Sequence, residues 1–511
     1  MLFIPMLIPA KNVFFYHKLT KMKIANIFIY SLLSSVLLIS CSKDLGNYDY
    51  HEVNKISIAG VLEGDHNAQR IYDLPFSDTL RITPTITGTL SGTDLSNVSF
   101  RWRVDGEEIS NTNKFEYIAN KGYGKMNADL TVTDNKTGIE TSYSFFVNVI
   151  NPYKLGYYVL SKKPNGESIL YCKSTIREKN QFEEVLIPNI SLGSNPISIS
   201  GNRQYGNSSR DYYNRLALGM KNAPYPVIMV DSREFLPNLL YSKDSYVGEK
   251  ENFVFEPTDV VLDPYNPIIY MVNQGKLHIL QKGGISLPAL NSDKLDYSIS
   301  KGGMAGASFY TPYFFSFYDA KNKMIRLLDN GVSSGVSYTY INVFDEITNT
   351  SIYKDQEFVI SQLTYFNDDP KFVYLMKKDS RLFAYWVSYN GDLKPVSFQK
   401  IAEGNIPGEG ILRFASYDFD ANYWYLATDK TIHRASYLGL EFQPFVTLPA
   451  NAPGYITKYK MTEGKLMITT YDPNYAGEKK SSVYIYDINR MTLEVAMPHS
   501  VAEAVDLHIG I

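Results

Sequence analysis

With 511 residues, 44% hydrophobic and 20% charged, the chain has the composition of a large globular protein and not of a disordered one. Its formal net charge of −3 leaves no basic excess to neutralise a phosphate backbone, so nucleic acid is not an expected partner. Cysteines stand only at 41 and 172, and the seven histidines show neither HxH nor HxxxH spacing. That rules out a disulfide framework and a cysteine-rich zinc site, and no metal or cofactor is expected.

The N-terminus reads best from Met22. Lys23 is followed by an apolar run, Ile24 to Ser40, that is short for a bilayer span and ends in small residues before Cys41. Residues 1–40 are therefore expected to be a signal peptide whose true start is Met22. Leu38, Ile39, Ser40 and Cys41 resemble a bacterial lipobox, which implies that the Cys41 thiol carries lipid and that residues 41–50 tether the folded chain. Ser42, Lys43 and Asp44 resemble the signal that sends Bacteroidota lipoproteins to the outer face of the outer membrane.

From 51 to 150, short β-rich runs alternate with turns. SFRWRVDGEEIS (99–110) places Phe100, Trp102 and Val104 on one face, and Asp105-Gly106 is a hairpin signal. A DNKTG turn separates two further strands at 128–150. An immunoglobulin-like sandwich follows, with Trp102 in its core. CSKDLGNYDYHEVNKISIAG, FRWRVDGEEIS and LTVTDNKTGIETSYSF together resemble the PKD-like lipoproteins of the Bacteroidota. That resemblance implies a surface lipoprotein encoded beside a SusC/SusD-type import system.

Residues 153–511 contain seven hairpin-like segments: 156–172, 225–240, 268–280, 314–329, 372–387, 422–437 and 459–472. Their spacing, near one per fifty residues, predicts a seven-bladed β-propeller built of four-stranded sheets, with six or eight blades if one hairpin is miscounted. VNQGKLHIL and MTEGKLMIT match almost position for position. SVAEAVDLHIGI at the end is expected to form a helical turn or the strand that closes the ring. The fold class is therefore all-β, with 41 tyrosines fitting half-buried pleated surfaces.

No GxSxG, HExxH, GxxxxGK[ST] or GxGxxG occurs, so no catalytic residue is expected. KGGMAGASFY (301–310) reads as a mobile loop, and Asp368-Asp369 and Asp418/Asp420 as solvated turns. LDPYNPIIY and YDPNYAGE read as turns between strands. Trp386 and Trp424 read as core. The polar stretch SNPISISGNRQYGNSSRDYYN (194–214) is the candidate binding loop, through Arg203, Tyr205, Arg210, Tyr212 and Tyr213. The expected function is non-enzymatic capture of a glycan or oligopeptide beside a SusC/SusD-type transporter. A surface hydrolase or lyase, or an adhesive docking module, is the alternative.

Overall fold

The computed structural model describes residues 52–511 apart from 62–69, 178, 206–211, 264–266, 289–295, 306–312, 331–338, 343–354, 367–368, 390–394, 409–410 and 419–421. The expected leader, Cys41 and the Ser42–Asp44 signal lie outside the described residues, as do Arg210, Asp368 and Asp420. Among the described residues no helix is long and apolar enough to cross a membrane.

The first unit is a sandwich. Ile71–Pro75, Glu140–Ile150, Gly124–Asp134, Val98–Val104 and Glu107–Ser110 form one five-stranded sheet. Thr79–Ile82 pairs with Phe115–Ile118 and Ile56–Ala59 with Thr85–Gly88. Alternation in the Trp102 strand buries Trp102 completely, and its ring lies 5.0 Å from Phe115 and 6.3 Å from Phe145. The indole N–H donates to Thr112 O at 2.9 Å, so the one polar atom of this side chain is satisfied inside the core. Asp105 (φ 48°) and Gly106 (φ 83°) both take positive φ, the geometry of a two-residue hairpin turn that follows the right-handed strand twist.

Seven four-stranded antiparallel sheets follow among the described residues. Their innermost strands are Glu503–Gly510, Ser194–Tyr205, Pro257–Leu262, Ile299–Ala305, Glu357–Phe366, Phe414–Asp418 and Tyr455–Thr462. Each neighbours the next around a ring, and the last returns to the first. The C-terminal segment takes the closing-strand alternative: Glu503–Gly510 pairs with Gly156–Lys162, Gly510 lying opposite Gly156. The first sheet is thus built from both ends of the ring.

Burial follows strand position. Second strands such as Ile269–Asn273 are buried throughout, because sheets pack on both of their faces. Ala427, Leu426 and the fully buried Trp424 play this part in the sixth sheet, whereas Trp386 is half-buried beneath the Lys371 ammonium, 4.2 Å from its ring centre.

Two expectations of local structure are corrected. Ser194–Tyr205 and Tyr212–Asn222 are long paired strands, so the stretch 194–214 is a hairpin and not a polar loop. KGGMA is likewise the body of the innermost strand Ile299–Ala305 and not a loop. An innermost strand has one edge without a strand partner, and its backbone groups still require hydrogen bonds. Side chains of the preceding sheet provide them: Ile199 N donates to Asp506 Oδ2 (2.9 Å), Leu262 N to Ser200 Oγ (2.8 Å) and Gly302 N to Asp259 Oδ2 (3.0 Å). Asn202 adds a bond from its amide to Asp263 O at 2.6 Å.

The sheets meet the sandwich at Arg177. Its guanidinium, 9% exposed, donates to Phe76 O at 2.6 Å and pairs with Asp78 at 3.0 Å and Glu183 at 3.3 Å. Tyr153 donates to the same Glu183 (3.2 Å), and burial together with that carboxylate pushes its phenol up to about 12.

His508 lies on the closing strand against Tyr158 and Gly201, where a Cβ on residue 201 would stand 2.6 Å from its Nε2. Burial, and secondarily Lys460, lowers its imidazole to about 3. In an unfolded chain it titrates near 6.5, so its contribution to stability is complete above pH 6.5 and is lost as pH falls towards 3. The stability difference between wild type and His508→Leu should therefore shift in favour of the variant between pH 7 and pH 4. Denaturant titrations at both pH values read this, and a pH-independent difference would contradict it.

Candidate functional site

The innermost strands converge on a cavity of about 480 Å³ in the central channel, to which all seven sheets contribute. Its residues come mostly from strand beginnings: Glu357 opens its strand and Arg413 immediately precedes one. The Ig-like unit joins at Gly156, opposite the end of Glu503–Gly510, so the cavity sits towards the other end of the channel.

Its wall alternates apolar and charged groups. Ile197, Phe358, Ile360, Leu412 and Phe414 supply the apolar part. Four cations, Lys301, Lys377, Arg413 and Lys458, face three carboxylates, Asp259, Glu357 and Asp506. Lys377 pairs with Glu357 at 3.0 Å and Lys458 with Asp506 at 3.5 Å. Arg413 is held by Asp429 at 2.6 Å, and its guanidinium covers the Tyr455 ring at 4.2 Å. Lys458 covers Phe414 at 4.5 Å. Burial raises the Asp259 carboxyl above the usual carboxylate range, against the opposing pull of the Gly302 N–H and Lys301. Lys301 differs from the other three: it is exposed, its ammonium reaches Ile197 O at 3.4 Å, and no carboxylate pairs with it among the described residues.

The residues expected to bind lie elsewhere. Arg203 and Tyr213 belong to the paired strands of the second sheet, but Arg203 stands opposite Asn214 and Tyr213 opposite Gln204, so they project from opposite faces. Arg203 reaches Glu463 at 2.8 and 3.1 Å, bridging to a turn of the last sheet. Tyr213 lies under the Arg233 guanidinium at 4.1 Å, itself clamped by Asp231. Tyr205 and Tyr212 are opposite each other in the backbone register. The hairpin thus places Arg203 and Tyr213 in separate contacts.

The channel residues were missed because they are scattered: Asp506 and the Ile199 amide that it accepts are 307 positions apart. One signal was available, a polar residue near the start of the first strand of each repeat. Among the described residues, no group of three or more His, Cys, Asp or Glu is arranged to hold a metal ion. The two proline turns behave as expected where described: Asp472 Oδ1 accepts from Asn474 N at 3.0 Å, and Asp263 N donates to Ile268 O at 2.8 Å.

An Ig-like sandwich followed by a ring of four-stranded sheets, closed by its own last strand, makes this an all-β protein of propeller type. Residues 41–191 match the model of the PKD-like family, a span that covers the sandwich and reaches into the first sheet. None of the curated proteins matches. Among solved structures, a Quinonprotein alcohol dehydrogenase-like protein from Bacteroides thetaiotaomicron is similar at 13% identity and TM-score 0.42, over 88% of this chain and 99% of that one. The dihydro-heme d1 dehydrogenase NirN is similar at 11% and 0.37, over 81% and 75%. PorZ, a surface component of the type-IX secretion system of Porphyromonas gingivalis, is similar at 13% and 0.31, over 71% and 43%.

Proposed function

We propose that this chain is a lipid-anchored protein of the outer-membrane surface that binds a glycan or oligopeptide in its central channel, as an accessory of a SusC/SusD-type importer. The observation that carries the binding reading is the cavity of about 480 Å³, walled by all seven sheets and mixing apolar with charged groups. Such a volume and lining suit a small ligand or the end of a longer one. The anchor rests on the Leu38–Cys41 lipobox and the destination on Lys43-Asp44. Calorimetry of the mature protein against glycan and peptide panels tests the binding, and co-purification from detergent-solubilised membranes tests the transporter. Absence of both rejects the proposal. An unmodified peptide spanning residues 35–48 in mass spectra of the mature protein would remove the anchor.

A second reading, a surface hydrolase or lyase, draws on the raised carboxyl of Asp259 in the cavity wall. It ranks lower because each of the three carboxylates there already holds a partner: Asp259 the Gly302 amide, Asp506 the Ile199 amide, and Glu357 Lys377. Product formation by the purified protein, abolished in Asp259→Asn, would reverse that ranking.

A further inference from the structure

We infer that the ligand of the channel is anionic, entering with a carboxylate that Lys301 receives; this rests on the channel being the binding site. Three features of the wall lead there. Its cations outnumber its carboxylates, and one of those carboxylates, Asp259, is spoken for by the Gly302 amide. Lys377, Arg413 and Lys458 are each tied to a carboxylate, whereas the exposed Lys301 hydrogen-bonds a carbonyl at 3.4 Å and meets Asp259 only through space, without an ion-pair contact. The aromatic faces of the wall that would stack on a neutral sugar are already engaged, Phe414 by Lys458 and one face of Phe358 by the Tyr318 ring at 4.9 Å.

An ammonium at the edge of a partly apolar cavity is a poor platform for a neutral ring and a strong donor to an incoming carboxylate. The Lys377–Glu357 pair lines the same cavity from the adjacent sheet with Glu357 75% exposed, so a ligand carboxylate can share Lys377 by displacing a loosely held partner. The shared chemistry is a carboxylate on a short oligomer. A uronate-containing oligosaccharide and an acidic peptide are its two sources.

Four probes separate the cases: trigalacturonate, triglutamate, and their neutral counterparts galactotriose and trialanine amide. Titration calorimetry at 50 and 300 mM salt should show binding of at least one acidic probe, several-fold weaker at the higher salt, with the neutral probes at least tenfold weaker. Which acidic probe binds identifies the source. Lys301→Gln should weaken that binding about tenfold and Lys301→Arg should largely retain it. Leu412→Trp, at a half-buried wall position just before the strand Phe414–Asp418, narrows the cavity and should abolish it while the thermal transition stays within a few degrees of wild type. Neutral probes that bind as well as acidic ones, with loss on Leu412→Trp, would overturn the anionic assignment and leave the channel reading standing. Binding indifferent to Leu412→Trp, or binding of none of the four, would overturn both.

Discussion

Deleting residues 503–511 should abolish the cooperative unfolding of the ring while leaving the transition of the Ig-like unit in place. Leu507 and Ile509 are each 3% exposed and pack with Val483, Ile485 and Val159 between the first and last sheets. Burial of such side chains contributes roughly 1.5–3 kcal/mol each. The deletion also strips the ladder from Gly156–Lys162 and the Asp506 acceptor from Ile199 N. Against a total stability of about 5–15 kcal/mol, these losses leave the ring no margin. Differential scanning calorimetry of the two proteins gives the answer. A ring transition within a few degrees of wild type would show that closure does not depend on this strand. Leu507→Asp, which keeps the backbone pairing, should produce a smaller but still large loss of about 3–5 kcal/mol.

The second large effect is expected in the fourth sheet. Arg326 and Asp319 form an ion pair at 2.8 Å with side chains 1% and 0% exposed. Asp319 also accepts from Ser298 N at 2.9 Å and from the Asn322 amide at 2.8 Å. Breaking a buried pair by removing one partner costs about 3–5 kcal/mol, because the other charge stays buried without compensation. The two halves are not equivalent here. Asp319→Ala removes the acceptor of the Arg326 guanidinium and of four further N–H donors, from Ser298, Lys321 and Asn322, whereas Arg326→Met leaves a carboxylate that still holds backbone and amide N–H groups. Asp319→Ala should therefore be the more destabilising. The double variant should be less destabilised than the sum of the singles, since it leaves no buried charge. Urea denaturation of the three variants measures this, and strict additivity would contradict it.

What could be read from the sequence divides along strand position. The second strands announced themselves, since the Ile269–Val272 and Phe372–Met376 runs are apolar at consecutive positions and buried on both faces. The innermost strands did not, because Ser198, Ser200 and Asn202 serve the open edge of the next sheet and so look like loop residues. The likeness of VNQGKLHIL and MTEGKLMIT, which share Gly-Lys-Leu and an Ile, does not mark equivalent positions in two repeats. The first spans the turn between second and third strands of the third sheet, and the second spans the turn between first and second strands of the last. Their likeness records turn chemistry: Gln274-Gly275 and Glu463-Gly464 share positive φ of 48° and 76–77°. Five of the seven expected hairpins join second and third strands, but 225–240 joins third and fourth and 459–472 joins first and second. Trp102 was legible because strict alternation with Arg101 and Arg103 left it one face to occupy. The channel was not, because its wall takes one to several residues from each of seven sheets and no local pattern links them.

The pairing of Gly156–Lys162 with Glu503–Gly510 also sets a timetable. A ribosome adds about 5–20 residues each second, so the first of these strands is made some tens of seconds before its partner. The Ig-like unit is complete by Ile150 and has time to fold alone. The ring does not, because its closing contact joins the most distant parts of its own sequence, the arrangement that folds most slowly. For that interval the chain carries an open strand edge, the usual template for wrong pairing with a neighbour. Whatever escorts the nascent protein has one site above others to cover, and it is Gly156–Lys162.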